Sequence, residues 1–232
     1  MNKVVFWDFD GTLSYRSTVF GSSLIMAMDE YKENHQMTEE SFIPLLRGKF
    51  PWHETDKSYV HLRETESWWA NIYKVLEQVF SQCGIPPEKA YKYARAARKY
   101  VIGPEYYSLF DDTLDTLRFF KENGYRNIIL SNHIPELPEI AESLGLMELV
   151  EICITSAKVG FEKPNPQIFR YALELTGHPE ELWMVGDNIV ADVGGAEAVG
   201  MKAILVRKPP AGPVKYYSPD LKGTIGIIAG NH

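Results

Sequence analysis

The sequence is poor in cysteine. Only Cys83 and Cys153 occur in 232 residues, far apart and outside any CxxC pair. That excludes a disulfide framework and a cysteine-built zinc site, and two buried thiols in a reducing cytosol are the expected state. Long apolar runs are missing too. None approaches the ~20 residues a bilayer span needs, so no membrane partner is expected. The N-terminal run Val4-Val5-Phe6-Trp7 meets Asp8 and Asp10 at once, too short and too charged for a secretory leader. No internal repeat or low-complexity tract is visible. Basic charge is also in deficit, with 24 Lys and Arg against 31 Asp and Glu and a net charge of −7. With a pI near 5.4, no nucleic-acid partner is expected. What remains is a soluble, cytoplasmic globular chain of 26.5 kDa, 45% hydrophobic, forming one large domain or two small ones.

What is present is a strand-helix rhythm. Val4-Val5-Phe6-Trp7 is continuously apolar, as a strand buried on both faces of a parallel sheet must be. Similar runs recur at residues 127–130, 149–154, 182–185 and 203–206. Helical patterns at 113–121, 138–144, 166–175 and 190–199 lie between the later runs, each ending at or near a glycine. This alternation predicts an α/β fold with a doubly wound, Rossmann-like parallel sheet. Residues 16–104 break the rhythm. They hold no convincing strand, and helices are expected at 17–31, 39–46, 65–80 and 88–101. The predicted organisation is therefore a core of residues 1–15 and 105–232, with an all-helical domain inserted at 16–104. Trp68 and Trp69 are read as core of that insert. The basic-aromatic helix carrying Tyr91, Lys92, Tyr93, Arg95, Arg98, Lys99 and Tyr100 is read as a solvated face. Lys208-Pro209-Pro210-Ala211-Gly212-Pro213 reads as an exposed loop.

The polar residues that follow the apolar runs carry the chemistry. Asp8 and Asp10 flank Phe9 directly after the first strand. Residues two apart in an extended segment point the same way, so both carboxylates can face one site. A strand's C-terminal end is where open α/β sheets bind ligands. One aspartate could serve as nucleophile and the other as proton donor, whereas a bare DxD pair before glycine is also ordinary turn chemistry. Ser131 and Asn132 follow a second run, Lys163 precedes a helix start, and Asp187, Asn188 and Asp192 follow a third run. Hydroxyl, ammonium and carboxylates of this kind suit a phosphate and a hard cation. Each alone is unremarkable, but their order and placement together are informative.

With these residues in view, the sequence resembles the haloacid dehalogenase-like hydrolase superfamily over nearly its whole length. Asp8-Phe9-Asp10-Gly11-Thr12 matches its DxDGT motif. Ile128-Ile129-Leu130-Ser131-Asn132 matches the second motif, Lys163 the third, and Gly186-Asp187 with Asp192 the fourth. The helical insert resembles the family's cap. The resemblance implies a phosphatase acting on a small phosphorylated metabolite. In it, Asp8 becomes an aspartyl-phosphate and Asp10 protonates the leaving oxygen and then activates water. Ser131, Asn132 and Lys163 hold the phosphoryl group. Mg2+ would be bound by the Asp8 carboxylate, the Asp10 main-chain carbonyl and Asp187, with Asn188 or Asp192 acting directly or through water. Phosphoryl transfer is mostly positioning plus charge stabilisation, so a cation and a lysine belong among clustered carboxylates. Asp10 argues against the dehalogenase branch, because a halide leaves without an acid.

Substrate choice falls to the insert. Leu46-Arg47-Gly48-Lys49-Phe50-Pro51-Trp52-His53 joins two of its helices and combines cations, aromatics and a glycine. Arg47, Lys49, Trp52 and His53 are candidate substrate contacts, and His133 is another, next to Ser131 and Asn132. Two further readings stay open from sequence, a phosphomutase of the same superfamily and a binding protein that keeps the fold without catalysis.

Overall fold

In the computed structural model, which describes residues 2–16, 18–31 and 35–230, the first apolar run forms strand β1 (Lys3–Trp7) at the centre of a six-stranded parallel sheet. The chain continues through β2 (Ser14–Tyr15) and the helices α1 (Val19–Glu30), α2 (Glu39–Leu46), α3 (Thr65–Gln82) and α4 (Pro87–Ile102). It returns through β3 (Ser108–Leu109), α5 (Thr113–Glu122), β4 (Tyr125–Ser131), α6 (Leu137–Ser143), β5 (Ile152–Thr155), α7 (Ser156–Val159) and α8 (Pro166–Thr176). Then come β6 (Glu181–Gly186), a π-helical turn (Ile189–Gly194), α9 (Gly195–Glu197), β7 (Lys202–Val206), β8 (Tyr217–Ser218) and α10 (Lys222–Ala229). The sheet order is β5-β4-β1-β6-β7-β8, and every neighbouring pair is parallel.

The strand order reverses beside β1. One set of crossovers runs outward through β4 and β5, the other through β6, β7 and β8, which opens a crevice at the strands' C-terminal ends. β1 is apolar throughout because both of its faces are covered. Val5 and Trp7 pack with Leu117 and Phe120 of α5, while Val4 and Phe6 pack with Ile168 and Phe169 of α8. The alternation of strand side chains divides them so. Trp7 Nε1 donates to Asn127 Oδ1 at 3.0 Å, and Asn127 Nδ2 donates to the Leu117 and Leu149 carbonyls, so these buried polar atoms are satisfied.

Between β2 and β3 every described element is helical. α3 turns one stripe inward, with Trp68, Trp69, Ile72, Leu76, Val79 and Phe80 all buried. Trp69 Nε1 also donates to Glu136 Oε1 at 2.7 Å, tying this helix to the sheet side. A second set of ties involves residues 55–65. The Tyr59 amide donates to the Gly160 carbonyl at 2.8 Å, Arg63 Nε to the Lys158 carbonyl at 2.9 Å, and Asn165 Nδ2 to the Thr55 carbonyl at 2.9 Å.

Several expectations need correction. The helix expected over 17–31 is Val19–Glu30 with Thr18 as its cap, and Ser17 lies outside the described residues. The strand expected over 149–154 begins only at Ile152, because Leu146–Glu148 forms a 3-10 turn. The helix expected over 190–199 is a π-helical turn followed by the short α9. The two cysteines are unpaired and half-buried, not fully buried. The basic-aromatic helix α4 is not simply solvated. Tyr93 is core, Arg95 pairs with Glu77, and Arg98 bridges Glu66 and Glu136.

Candidate active site

Asp8 continues the line of β1, and its amide donates to the Val185 carbonyl of β6 at 2.9 Å. This fixes its side chain at the mouth of the crevice. Its Oδ1 accepts from Ser131 Oγ at 2.9 Å and Lys163 Nζ at 2.8 Å, while Thr12 Oγ1 is 3.5 Å from Oδ2. Ser131 is the last residue of β4, so two adjacent parallel strands bring a carboxylate and a hydroxyl together through their pairing. Asp10 lies one alternation further and is more open to solvent than Asp8. Its Oδ2 is 3.3 Å from His133 Nε2. His133 is buried, with its ring edge-on to Phe9 at 5.5 Å.

Two glycines let these segments close on one another. Gly11 has φ +80°, and a Cβ there would lie 2.4 Å from Asp187 Oδ2. A Cβ on Gly186 would lie 2.2 Å from Asp192. In each case a side chain would displace a carboxylate of the site.

Lys163 is the electrostatic centre. It is only 1% exposed, and its Nζ donates to Asp8 Oδ1, to Asp192 Oδ1 at 2.5 Å and to the Leu130 carbonyl at 2.8 Å. Burial works against the ammonium, but Asp192 and Asp8 more than offset it and hold its pKa above the ordinary lysine value. Asn132 holds the Lys163 backbone on both sides. Its Nδ2 donates to the Lys163 carbonyl at 2.9 Å, and its Oδ1 accepts from the Lys163 amide at 2.6 Å. The Asn132 side chain therefore positions the lysine.

The remaining carboxylates gather beside Asp8. Oxygens of Asp8, Asp187 and Asp192 all lie within 4.8 Å of one another. Burial pushes the Asp187 and Asp192 carboxyls above the ordinary range, more than the nearby lysines pull them down. Three carboxylates thus face two ammonium groups, Lys163 and Lys208. Asn188 takes another part. Its Oδ1 caps the π-helical turn by accepting from the Val190 and Ala191 amides at 3.0 Å.

A cavity of about 650 Å³ opens over this cluster. Asp8, Asp10, Ser131, Asn132, His133, Lys163, Asp187, Asn188 and Asp192 line it, and so do Arg47, Trp52 and His53 from the helical insert. Lys49 is not among the lining residues. Trp52 also packs against Phe50, with ring centroids 4.6 Å apart, and against Trp68 at 6.4 Å.

Sequence reading passed over two residues that reach the site, Lys208 and Arg207, and the buried Glu162 beside Lys163 in the chain. Lys208 Nζ contacts Asp187 Oδ2 from the loop after β7. Arg207, in the left-handed region at φ 68°, donates to the Thr12 carbonyl and pairs with Asp112. It thereby anchors the turn that follows Asp10. Glu162 is buried, and burial raises its carboxyl to about 7. The available signal for Arg207 and Lys208 was their place directly after an apolar strand, the same cue that marks Asp8 and Asp187.

A family model for the haloacid dehalogenase-like hydrolases matches residues 2–200. Among curated proteins, the chain is similar to the human haloacid dehalogenase-like hydrolase domain-containing protein 3, 34% identical over 153 residues, covering 65% of this chain and 60% of that protein. It is also similar to phosphoserine phosphatase from Thermus thermophilus, 32% identical over 162 residues, covering 66% of this chain and 62% of that one. The chain thus spans about 60% of the length of these relatives. Among solved structures, the HAD-hydrolase YfnB of Bacillus subtilis superposes with a TM-score of 0.76 at 16% identity, over 98% of this chain and 99% of that one.

Proposed function

We propose that this chain, which belongs to the haloacid dehalogenase-like hydrolases, hydrolyses a phosphate monoester of a small metabolite through an aspartyl-phosphate on Asp8. The observation that carries the reading is the single point at which Asp8, Ser131 and Lys163 meet. A carboxylate nucleophile, a hydroxyl donor and a buried ammonium on one oxygen atom form a cradle for a phosphoryl group. Similarity to a named phosphatase supports the same reading.

Mg2+ fits the residues present. Three carboxylates within 4.8 Å form a hard oxygen donor set, faced by only two ammonium groups. Asp8, Asp187 and the Asp10 carbonyl would hold it, with Asp192 acting directly or through water. When bound, the ion would supply positive charge against the phosphoryl oxygens and the carboxylates.

The chain's own residues then divide the work. The Asp8 carboxylate attacks phosphorus, and the bond to the ester oxygen breaks. Asp10 gives its proton to that oxygen, so an alcohol leaves in place of an alkoxide. Asp10, now a carboxylate, takes a proton from water, the hydroxide attacks phosphorus, and phosphate leaves Asp8 free. Lys163 and Ser131 hold the phosphoryl oxygens through both steps, and His133 orients Asp10. In this reading residues 1–15 and 105–232 are the catalytic core, and residues 16–104 are a cap that excludes water and selects the leaving group.

The test is phosphate release from a panel of phosphorylated metabolites, with Mg2+ and with EDTA. Release that needs the metal is the expected result. No release from any ester, with or without isomerisation of a sugar phosphate, would overturn the hydrolase reading.

A further inference from the structure

We infer that the substrate is a phosphate monoester of a largely apolar, flat alcohol with a hydrogen-bond acceptor at its far end, and not a polyhydroxylated sugar phosphate. The inference rests on the phosphatase reading above and concerns the half of the cavity that the phosphoryl group leaves unfilled. On the helical side that half is walled by Val19, Phe20, Leu46, Phe50 and Trp52. The wall is rigid. Phe20 and Phe50 have ring centroids 4.4 Å apart, Phe50 stacks on Trp52, and Trp52 stacks on the buried Trp68. At the rim, Ile43 and Val190 both face the cavity and are 42% and 63% exposed. Exposed apolar side chains gathered at one mouth mark a surface awaiting an apolar ligand.

The polar side chains around the cavity are mostly committed to the protein itself. Thr18 Oγ1 donates to Glu39 and accepts from the Ser22 amide. Asn132 is engaged at both ends by Lys163, and the Asn188 oxygen caps two amides. His53 Nδ1 accepts from the Phe50 amide at 3.3 Å, so the other ring nitrogen carries the hydrogen of the neutral ring. Burial lowers the His53 pKa, which favours that neutral ring. What remains on the helical side, among the described residues, is Arg47, the Thr55 hydroxyl, one His53 N–H and the Trp52 indole N–H. Three of these four are donors only. Several sugar hydroxyls would find few partners here and would lose hydration against aromatic rings. A flat apolar body fills the space, and a carboxylate or carbonyl at its end meets Arg47.

Binding and turnover test this separately. Non-hydrolysable phosphonate analogues of 2-phenylethyl phosphate, of its para-carboxylate derivative, of glycerol 1-phosphate and of ribose 5-phosphate are titrated calorimetrically into the wild-type protein with Mg2+. The aryl compounds should bind about tenfold tighter or more than the two polyols. The carboxylate derivative should bind tightest, an advantage that Arg47→Gln removes. Ile43→Asn, at a rim position that is 42% exposed, should narrow the gap between aryl and polyol ligands. The four phosphate esters are then compared by kcat/KM. All release primary alcohols, so Asp10 faces the same task in each and the ratio reports the cavity alone. Equal binding of all four phosphonates, or a polyol preference in binding or turnover, overturns the inference while leaving a phosphatase. An aryl preference in binding with no phosphate release from any ester, or from the more reactive anhydride acetyl phosphate, supports the ligand class and removes the phosphatase reading instead.

Discussion

Replacing Lys163 with methionine separates the electrostatic account from a purely steric one. Methionine keeps most of the side-chain volume but removes the ammonium that donates to Asp8, Asp192 and the Leu130 carbonyl. Two nearly buried carboxylates are then left without their shared cation. Breaking a buried ion pair by removing one partner costs about 3–5 kcal/mol. For a domain of this length each kcal/mol lowers Tm by about 2–4 °C, so a drop of roughly 6–20 °C is expected near neutral pH. The loss has a pH sign. Burial already raises the Asp192 carboxyl to about 7, and without the ammonium that pulls it down its folded-state value lies higher still above the unfolded one. The native state then binds more protons than the unfolded chain, and stability is lost as pH rises through the folded values. The Tm deficit should therefore be larger at about pH 8 than at about pH 5.5. Adding Asp192→Asn to the methionine variant removes one of the orphaned charges and should recover part of the deficit. Turnover should fall by about 10²–10³, as expected when a preorganised donor to the transferring group is lost. Scanning fluorimetry at both pH values and steady-state phosphate release read these quantities. A methionine variant as stable as wild type at the higher pH, with kcat within tenfold, would refute the reasoning.

Other outcomes follow from particular contacts. Glu162 is buried, and burial raises its carboxyl to about 7, so the native state favours its protonated form. Its stabilising contribution is present at low pH and is lost as pH rises from the unfolded carboxylate value through about 7, a swing of about 3 kcal/mol. Glu162→Gln, which stays neutral, should match wild type in Tm at about pH 5 and exceed it at about pH 8; identical Tm–pH curves would remove Glu162 as the source. Gly160 has φ +83°, and a Cβ there would lie 2.7 Å from the Val60 backbone. Gly160→Ala should cost at least about 1–2 kcal/mol of stability and speed proteolytic cleavage within residues 54–65, seen on gels. Unchanged cleavage would show that this contact does not hold the segment against the sheet side.

Much of the core was legible because a buried parallel strand has to be apolar along its whole length. The runs around Val4, Ile128, Met184 and Ile204 announced their strands, and chemistry follows directly after them. Asp8, Ser131 and Asp187 could be placed at one crevice on that ground alone. Lys163 needed the family resemblance, because nothing local distinguishes it from a surface lysine. The two-residue strands β2, β3 and β8 are too short to leave a periodic signal. α10 contains Gly223 and Gly226, which weaken any helical reading. The π-helical turn after Asp187 arises from the Asn188 cap and the close pass of Gly186 to Asp192, both tertiary features. Lys208 was absorbed into a proline-rich loop and Arg207 just before it went unremarked, although both side chains reach back towards the site, at Asp187 and the Thr12 carbonyl. Lys49 looked equal to Arg47 in sequence, yet only Arg47 lines the cavity, because Arg47 still caps the end of α2 while the chain changes direction at Gly48, which has φ +76°.

The most direct measurement is rapid acid quench of the protein during turnover of a phosphate ester with Mg2+, followed by peptide mass spectrometry. The account predicts one phosphoryl group on the peptide that contains Asp8, formed and consumed at rates consistent with kcat, and absent in a folded but inactive Asp8→Asn variant. Phosphate release at the wild-type rate by Asp8→Asn, or a phosphoryl group carried on another residue, would contradict it.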